Sequence, residues 1–192
     1  MKLYLSIIGI AMAIIAAANI AFGTATWYYA VAAVVWCTLL CFATDGLIAL
    51  VINKLPDRWF CVDNRAYNVT KAETRLYIRI GVRRWKDKVW ELGGLGGFSK
   101  KKLSDPDNPE YIERFIIECN KGVLTHRLSY PAGFVYMLTV LGICSFTIAL
   151  PVALVNLFLN ILPTIVLRYN TPMLKSILRR LNKNRVRNRI NT

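Results

Sequence analysis

Hydrophobic and polar positions divide this chain into two apolar blocks separated by a polar stretch and followed by a basic one. Residues 3–22 are twenty apolar or small residues behind Lys2, enough to cross a hydrocarbon layer as a helix. Their Ala-rich end resembles a signal-peptide cleavage region, but the run is long for such a leader and is read as a transmembrane helix. After an uncharged turn at 23–26, Trp27, Tyr28 and Tyr29 open a second span reaching about residue 52, the aromatics placed as an interfacial anchor. Residues 131–167 form the second apolar block, thirty-seven residues long, and Pro151 divides it. The division predicts a helical hairpin with Pro151 near the turn, or one span plus a re-entrant segment, with Pro163 kinking the return arm. Residues 175–189 then alternate Leu and Ile with Lys and Arg, as an interfacial helix does.

Between the blocks, residues 71–90 read as a helix with Gly81 a weak point inside it. Residues 91–98 hold four glycines, followed by Lys100, Lys101 and Lys102. This is neither a Walker nor a dinucleotide fingerprint; it is either a flexible linker or a loop whose amides and lysines hold a phosphate-bearing ligand. Residues 104–110 form a turn and N-cap region that launches the helix around which the chain is organised, at 109–130. On a helical wheel Ile112, Phe115, Ile116, Cys119 and Val123 share an apolar face, while Glu113, Arg114, Asn120 and Lys121 lie opposite. Glu118 falls on the flank, and His126, the only histidine, falls on the apolar face. Gly122 lies between them as a notch. Eight residues of straight helix separate Glu118 from His126 by about 12 Å, so each needs its own role.

Charge sharpens this division. Residues 3–52 contain one acid, Asp45, and no base; residues 53–130 contain sixteen bases and ten acids; residues 168–192 contain eight bases and no acid. With 55% hydrophobic residues and a net charge of +14, the pattern predicts an all-α integral membrane protein of about four transmembrane helices with a cytoplasmic, membrane-apposed helical domain. Its parts are an N-terminal transmembrane hairpin at 1–52, a basic interfacial domain at 53–130, a C-terminal transmembrane hairpin at 131–167 and a basic interfacial tail at 168–192. The loops at 23–26 and around Pro151 carry no charge, which places the termini and the central domain in the cytoplasm of a multi-pass membrane protein.

Trp59, Phe60, Trp85, Trp90 and Phe98, interleaved with Arg and Lys, put the central domain against a membrane surface. No nucleic-acid reading motif accompanies the basic charge, so membrane lipids and not nucleic acid are the expected partners. The five cysteines form no CxxC and no Cys/His cluster, so neither a disulfide framework nor a metal site is expected. Cys119, on the apolar face, reads as a buried, inert thiol. Asp45 either marks the end of the second span or is an acid at membrane depth with a function.

Four stretches, in order, resemble the glycosyl-4,4'-diaponeurosporenoate acyltransferases, small membrane enzymes of staphyloxanthin-type carotenoid synthesis in bacteria. They are Leu55-Pro56-Asp57-Arg58-Trp59-Phe60; Val82-Arg83-Arg84-Trp85-Lys86-Asp87-Lys88; Ile116-Ile117-Glu118 with His126 eight residues after the Glu; and Arg168-Tyr169-Asn170-x-Pro172-x-Leu174. The resemblance covers roughly residues 45–185. The family carries arginines around the last proline where this chain has Thr171 and Met173, and an aromatic after the histidine where it has Arg127.

The resemblance implies transfer of a fatty acyl group onto a sugar hydroxyl of a lipid-linked sugar, a carotenoid glycoside or a related glycosylated lipid, in the bacterial inner membrane. It implies no cofactor beyond an anionic acyl donor such as acyl-CoA or acyl carrier protein. Acyl transfer needs a base for the attacking oxygen, and imidazole is the side chain whose ordinary titration range suits that role near neutral pH. His126 is therefore assigned as catalytic base and Glu118 as the second catalytic group, orienting acceptor hydroxyls or pairing with an arginine. Gly122, Asp45, Trp85, Arg168, Asn170, Lys100, Lys101 and Lys102 are assigned to substrate binding, Arg168 and Asn170 facing the donor phosphate or the oxyanion. A non-catalytic membrane scaffold or lipid-binding protein, and a small membrane methyltransferase, are the rival classes.

Overall fold

The computed structural model describes residues 2–89, 103–140 and 145–190, and every regular element among them is helical. They are α1 (Lys2–Ala21), α2 (Trp27–Asn53), α3 (Lys71–Arg79), α4 (Val82–Trp85), α5 (Pro109–Val140) and α6 (Phe146–Ile190), with short 3-10 turns at Asp57–Phe60, Arg65–Tyr67 and Lys86–Lys88. Among the described residues three helices, Tyr4–Ala21, Trp27–Asn53 and Phe146–Asn188, are long and apolar enough to cross a membrane. The glycine-rich segment and Lys100, Lys101 and Lys102 lie outside the described residues.

The chain forms two compact units, Met1–Ile52 with Thr125–Leu162 and Asn53–Leu124 with Pro163–Thr192. In the first, Ile15 and Ala16 of α1, Ala30, Ala33, Val34, Cys37 and Cys41 of α2, and Ile148 and Val152 of α6 make one apolar core. The alanines at 16, 30 and 33 are small side chains within this core. At the turn after α1, Gly23 takes a left-handed conformation with φ 65°, which a side chain would disfavour. Asn19 closes this end of the unit. Its amide donates to the carbonyl of Ile15 and at 3.3 Å to that of Thr147, and its side-chain oxygen accepts from Thr24 and Thr147.

Two expectations for the apolar blocks are corrected. Pro151 is not at a turn, since α6 begins at Phe146 and runs through it, and Pro131 lies inside α5. A proline removes one backbone hydrogen bond and bends a helix, but burial of Ile148, Val152 and Ala153 around Pro151 outweighs that loss. Asp45 does not end α2 either. The helix continues for eight residues beyond it, so the acid is an interior helical residue.

The second unit is built on the apolar face of α5. Ile112, Phe115, Ile116, Cys119 and Val123 are all buried, as the helical period requires, and Cys119 is not in a disulfide among the described residues. Asn120 and Lys121, expected on the polar side, are buried too. The turn before α3 explains this: the Asn120 amide donates to the Phe60 carbonyl at 2.9 Å, and the Lys121 ammonium meets the Asp57 carboxylate at 2.5 Å. The expected single helix over 71–90 is interrupted where Gly81 adopts φ 65°, ending α3 and starting α4. Thr70 caps α3 by accepting from the Glu73 amide at 3.1 Å.

Candidate active site

His126 belongs to the first unit, on the stretch of α5 that faces α6 in antiparallel fashion. Register is set by small residues: a Cβ built on Gly133 would meet the Ala153 Cα at 3.2 Å, so the two backbones nearly touch there. Seven residues back along α5 is His126, and seven residues forward along α6 is Asn160. Seven residues are two helical turns, which return each side chain to the same face. His126 and Asn160 accordingly meet, Nδ1 to Oδ1, at 2.8 Å. Between the two layers lie Ser129 on α5 and Asn156 on α6.

The chain of contacts continues to α2. Asn160 Nδ2 donates to Asp45 Oδ2 at 2.9 Å and to the Asn156 carbonyl at 3.0 Å, with the Asn156 side-chain oxygen at 3.3 Å. These acceptors orient the amide: its nitrogen must face the carboxylate, so its oxygen faces the imidazole. An amide oxygen only accepts, so the neutral imidazole carries its proton on Nδ1. The basic lone pair is then on Nε2. Asp45 reaches the histidine through the neutral amide of Asn160.

Among the described residues, the buried polar atoms of this unit without a hydrogen-bond partner include Asp45 Oδ1, Asn156 Nδ2 and Ser129 Oγ. Of this cluster, only His126 and Asp45 stood out in the sequence. Asn156 and Asn160 lie inside an apolar block. Two amides one turn apart among Leu and Ile are nonetheless a signal, because burying an amide in apolar surroundings costs a few kcal/mol unless it is hydrogen-bonded.

Glu118 lies in the second unit, part-exposed, 3.9 Å from the Lys121 ammonium. Lys121 is held more closely by Asp57 and sits 5.8 Å from the centroid of the Phe60 ring. Gly122 is half-buried on the same helix. Thus Asp57 and Phe60 dock the turn onto α5, while the Trp59 side chain is 50% exposed.

Arg168 is buried. Its Nε pairs with Glu73, its Nη2 donates to the second Glu73 oxygen at 2.7 Å and to the Asn68 carbonyl at 3.0 Å, and Nη1 has no partner. Tyr77 also donates to Glu73. The hydrogen bond from Arg168 is the main reason the Glu73 carboxyl is held down at about 2, with Tyr77 helping. Burial first, then the bond to Glu73, pushes the Tyr77 hydroxyl up to about 12. Asn170 accepts from Lys86 at 3.4 Å, and the same ammonium lies 5.8 Å from the centroid of the Tyr169 ring. The Trp85 indole donates to the Ile80 carbonyl at 3.2 Å. Lys175 donates to the Asn68 side chain at 2.8 Å.

The family model for glycosyl-4,4'-diaponeurosporenoate acyltransferase matches residues 56–180. No curated protein and no solved structure matches the chain.

Proposed function

The chain belongs to the glycosyl-4,4'-diaponeurosporenoate acyltransferase family and is an acyltransferase, and we propose that it moves a fatty acyl group onto a sugar hydroxyl of a membrane glycolipid with His126 as general base. The acceptor is a carotenoid glycoside or a related glycosylated lipid. The observation that carries this reading is the His126–Asn160–Asp45 chain, which puts the proton on Nδ1 and the basic lone pair on Nε2. Nε2 takes the proton of the acceptor hydroxyl as its oxygen attacks the acyl carbonyl carbon. The tetrahedral oxyanion collapses, the bond to the donor sulfur breaks, and the imidazolium returns the proton to the departing thiolate. Glu118, through Lys121, is a positioning group.

The protein sits in the bacterial inner membrane in this reading, with four crossings supplied by α1, α2, the C-terminal part of α5 and the first part of α6. All four segments belong to the first unit. The basic stretch at 53–127, the basic tail and both termini are cytoplasmic in this reading. There the donor, an acyl-CoA or acyl carrier protein, meets Lys86, Asn170 and the Nη1 edge of Arg168, with Lys100, Lys101 and Lys102 adding attraction. Trp85 stands beside Lys86 at this end.

Turnover by detergent-purified protein tests the base. His126→Gln should lower kcat by about 10² to 10⁴ in protein that still folds. Asn160→Ala, which removes one hydrogen bond from the imidazole, should lower it by about 10 to 10². Because Asn160 acts through the histidine, the double variant should be no slower than His126→Gln alone. Near-wild-type turnover by His126→Gln would refute His126 as the base.

A further inference from the structure

α3 is packed with its polar face inward. Glu73, Thr74 and the buried Tyr77 lie on that side, where Glu73 pairs with Arg168 and accepts from Tyr77. The opposite side carries Lys71, Arg75 and Arg79, four residues apart and all exposed, so they form one basic ridge. Beside the ridge stand Leu76, 53% exposed, and Ile80, 43%, and on its other flank stands Ile78, 66%. Arg83 and Arg84, exposed beyond the left-handed Gly81, extend the charge. Isolated aliphatics on a surface need no partner, but three on a nine-residue helix and its C-cap make an apolar face that water disfavours. An acid turned inward with aliphatics and bases turned outward is the reverse of α5, whose apolar face is buried.

Two further observations point to what covers this face. Phe60, an aromatic that the sequence places at a membrane surface, is fully buried, so contact with lipid falls to other side chains of the unit. The unit also starts at Asn53, the last residue of α2, a helix long and apolar enough to cross a membrane, and this tether keeps it at a bilayer surface. Arginine and lysine lay their aliphatic stems along apolar surface while their charged heads reach outward. A helix lying in the plane of a leaflet can therefore seat its aliphatics among the upper acyl carbons and its bases on the phosphates. An acidic protein would match the ridge, but the cores of protein interfaces are depleted of charge, whereas here bases stand between the aliphatics. We propose that the outer face of α3 docks on an anionic phospholipid leaflet, with Leu76, Ile78 and Ile80 inserted and Lys71, Arg75 and Arg79 on the headgroup phosphates. This docking is independent of the acyl-transfer reading of His126.

The test places a fluorophore at Ala72→Cys, an exposed position within the face that removes none of its anchors, in full-length protein with Cys61 and Cys144 changed to Ser; Cys37, Cys41 and Cys119 are buried. The protein is reconstituted in nanodiscs of phosphatidylcholine alone or mixed with phosphatidylglycerol. In mixed discs nitroxide-bearing lipid should quench the label and aqueous iodide should not, and lipid quenching should be weaker in phosphatidylcholine alone. A label at the exposed Asp107 should respond to iodide in both. Each base near an anionic surface contributes about a five-fold attraction, so Lys71→Gln/Arg75→Gln/Arg79→Gln should lower the docked-to-free ratio in mixed discs about 10²-fold, bringing lipid quenching down to the phosphatidylcholine level. Leu76→Ser/Ile78→Ser/Ile80→Ser should weaken lipid quenching in both disc types. All six side chains are exposed, so the fold should persist in both variants, which thermal unfolding checks. Equal iodide access at Ala72 in the two disc types, lipid quenching equal at 72 and 107, or lipid quenching that survives both triple variants would overturn the proposal. Protection of the Ala72 label only when an acidic acyl carrier protein is added would also overturn it, assigning the face to a protein instead.

Discussion

The Glu73–Arg168 pair decides whether Arg168 is a structural cation or a ligand for the donor, and it can be separated from catalysis by stability alone. Arg168 is 6% exposed, and two of its nitrogens engage both Glu73 oxygens. Glu73→Gln leaves a buried guanidinium without its counter-charge, a change that costs about 3 to 5 kcal/mol when the site is dry. The Glu73 side chain is 21% exposed, so water relieves part of this, and about 2 to 3 kcal/mol is the expected loss. In a chain of this length that is a fall in Tm of roughly 5 to 10 °C. Removing both charges in the Glu73→Leu/Arg168→Met double variant should recover most of it, since an apolar pair needs no desolvation of ions.

Acid provides a second arm of the same test. The Glu73 carboxyl falls from 4.5 to about 2 on folding. A depressed folded value means stability that is complete above the unfolded value and lost as pH drops from about 4.5 toward 2. At face value the shift corresponds to about 3 kcal/mol, and solvent screening reduces it to on the order of 2. Thermal unfolding of detergent-purified protein at pH 7 and across that acidic window measures both arms. A Glu73→Gln Tm equal to wild type, or a double variant as unstable as the single one, would refute the clamp. A double variant that folds well but needs far more donor would show instead that Nη1 of Arg168 contacts the donor.

Two further outcomes concern the donor and the membrane. Replacing Lys100, Lys101 and Lys102 together with Gln should raise donor KM at low ionic strength and much less at high salt, because exposed charges are screened; an unchanged KM at low salt makes that segment a linker. In a background with Cys61 and Cys144 changed to Ser, a cysteine at the exposed Thr26 should react with an impermeant thiol reagent from outside intact cells and one at the exposed Ser176 should not, the reverse pattern overturning the orientation.

What could be read from the sequence was what depends on period and composition alone. The buried face of α5 followed from 3.6-residue spacing, and the apolar helices from length. What depends on a distant neighbour could not be read. Asn120 and Lys121 look like solvent-facing residues until the turn at Asp57–Phe60 supplies a carbonyl and a carboxylate to bury them against. Pro151 looked like a hairpin turn because a proline weakens a helix, but burial of its neighbours decides whether the helix ends. Gly81 reads as a weak point in the sequence, and its left-handed φ divides α3 from α4. At the candidate site, His126 announced itself by being the only histidine, whereas Asn160 was visible only once α5 and α6 were set in register.

That register gives a physical account of how an irregular polar site persists in an apolar unit. A hydrogen bond of 2.8 Å between side chains on two different helices tolerates displacements of only a few tenths of an ångström before it weakens. The helices approach closely two turns away, where a Cβ on Gly133 would meet the Ala153 Cα at 3.2 Å. Close backbone approach at one layer fixes the separation at the next, because a helix is stiff over seven residues. The layer between, with Ser129 and Asn156, inherits the same spacing but presents polar atoms that do not complete one another. The unit therefore pairs a tightly packed layer that sets distance with a polar layer that keeps unmet hydrogen-bonding capacity. Small residues at 133 and 153 make the first possible.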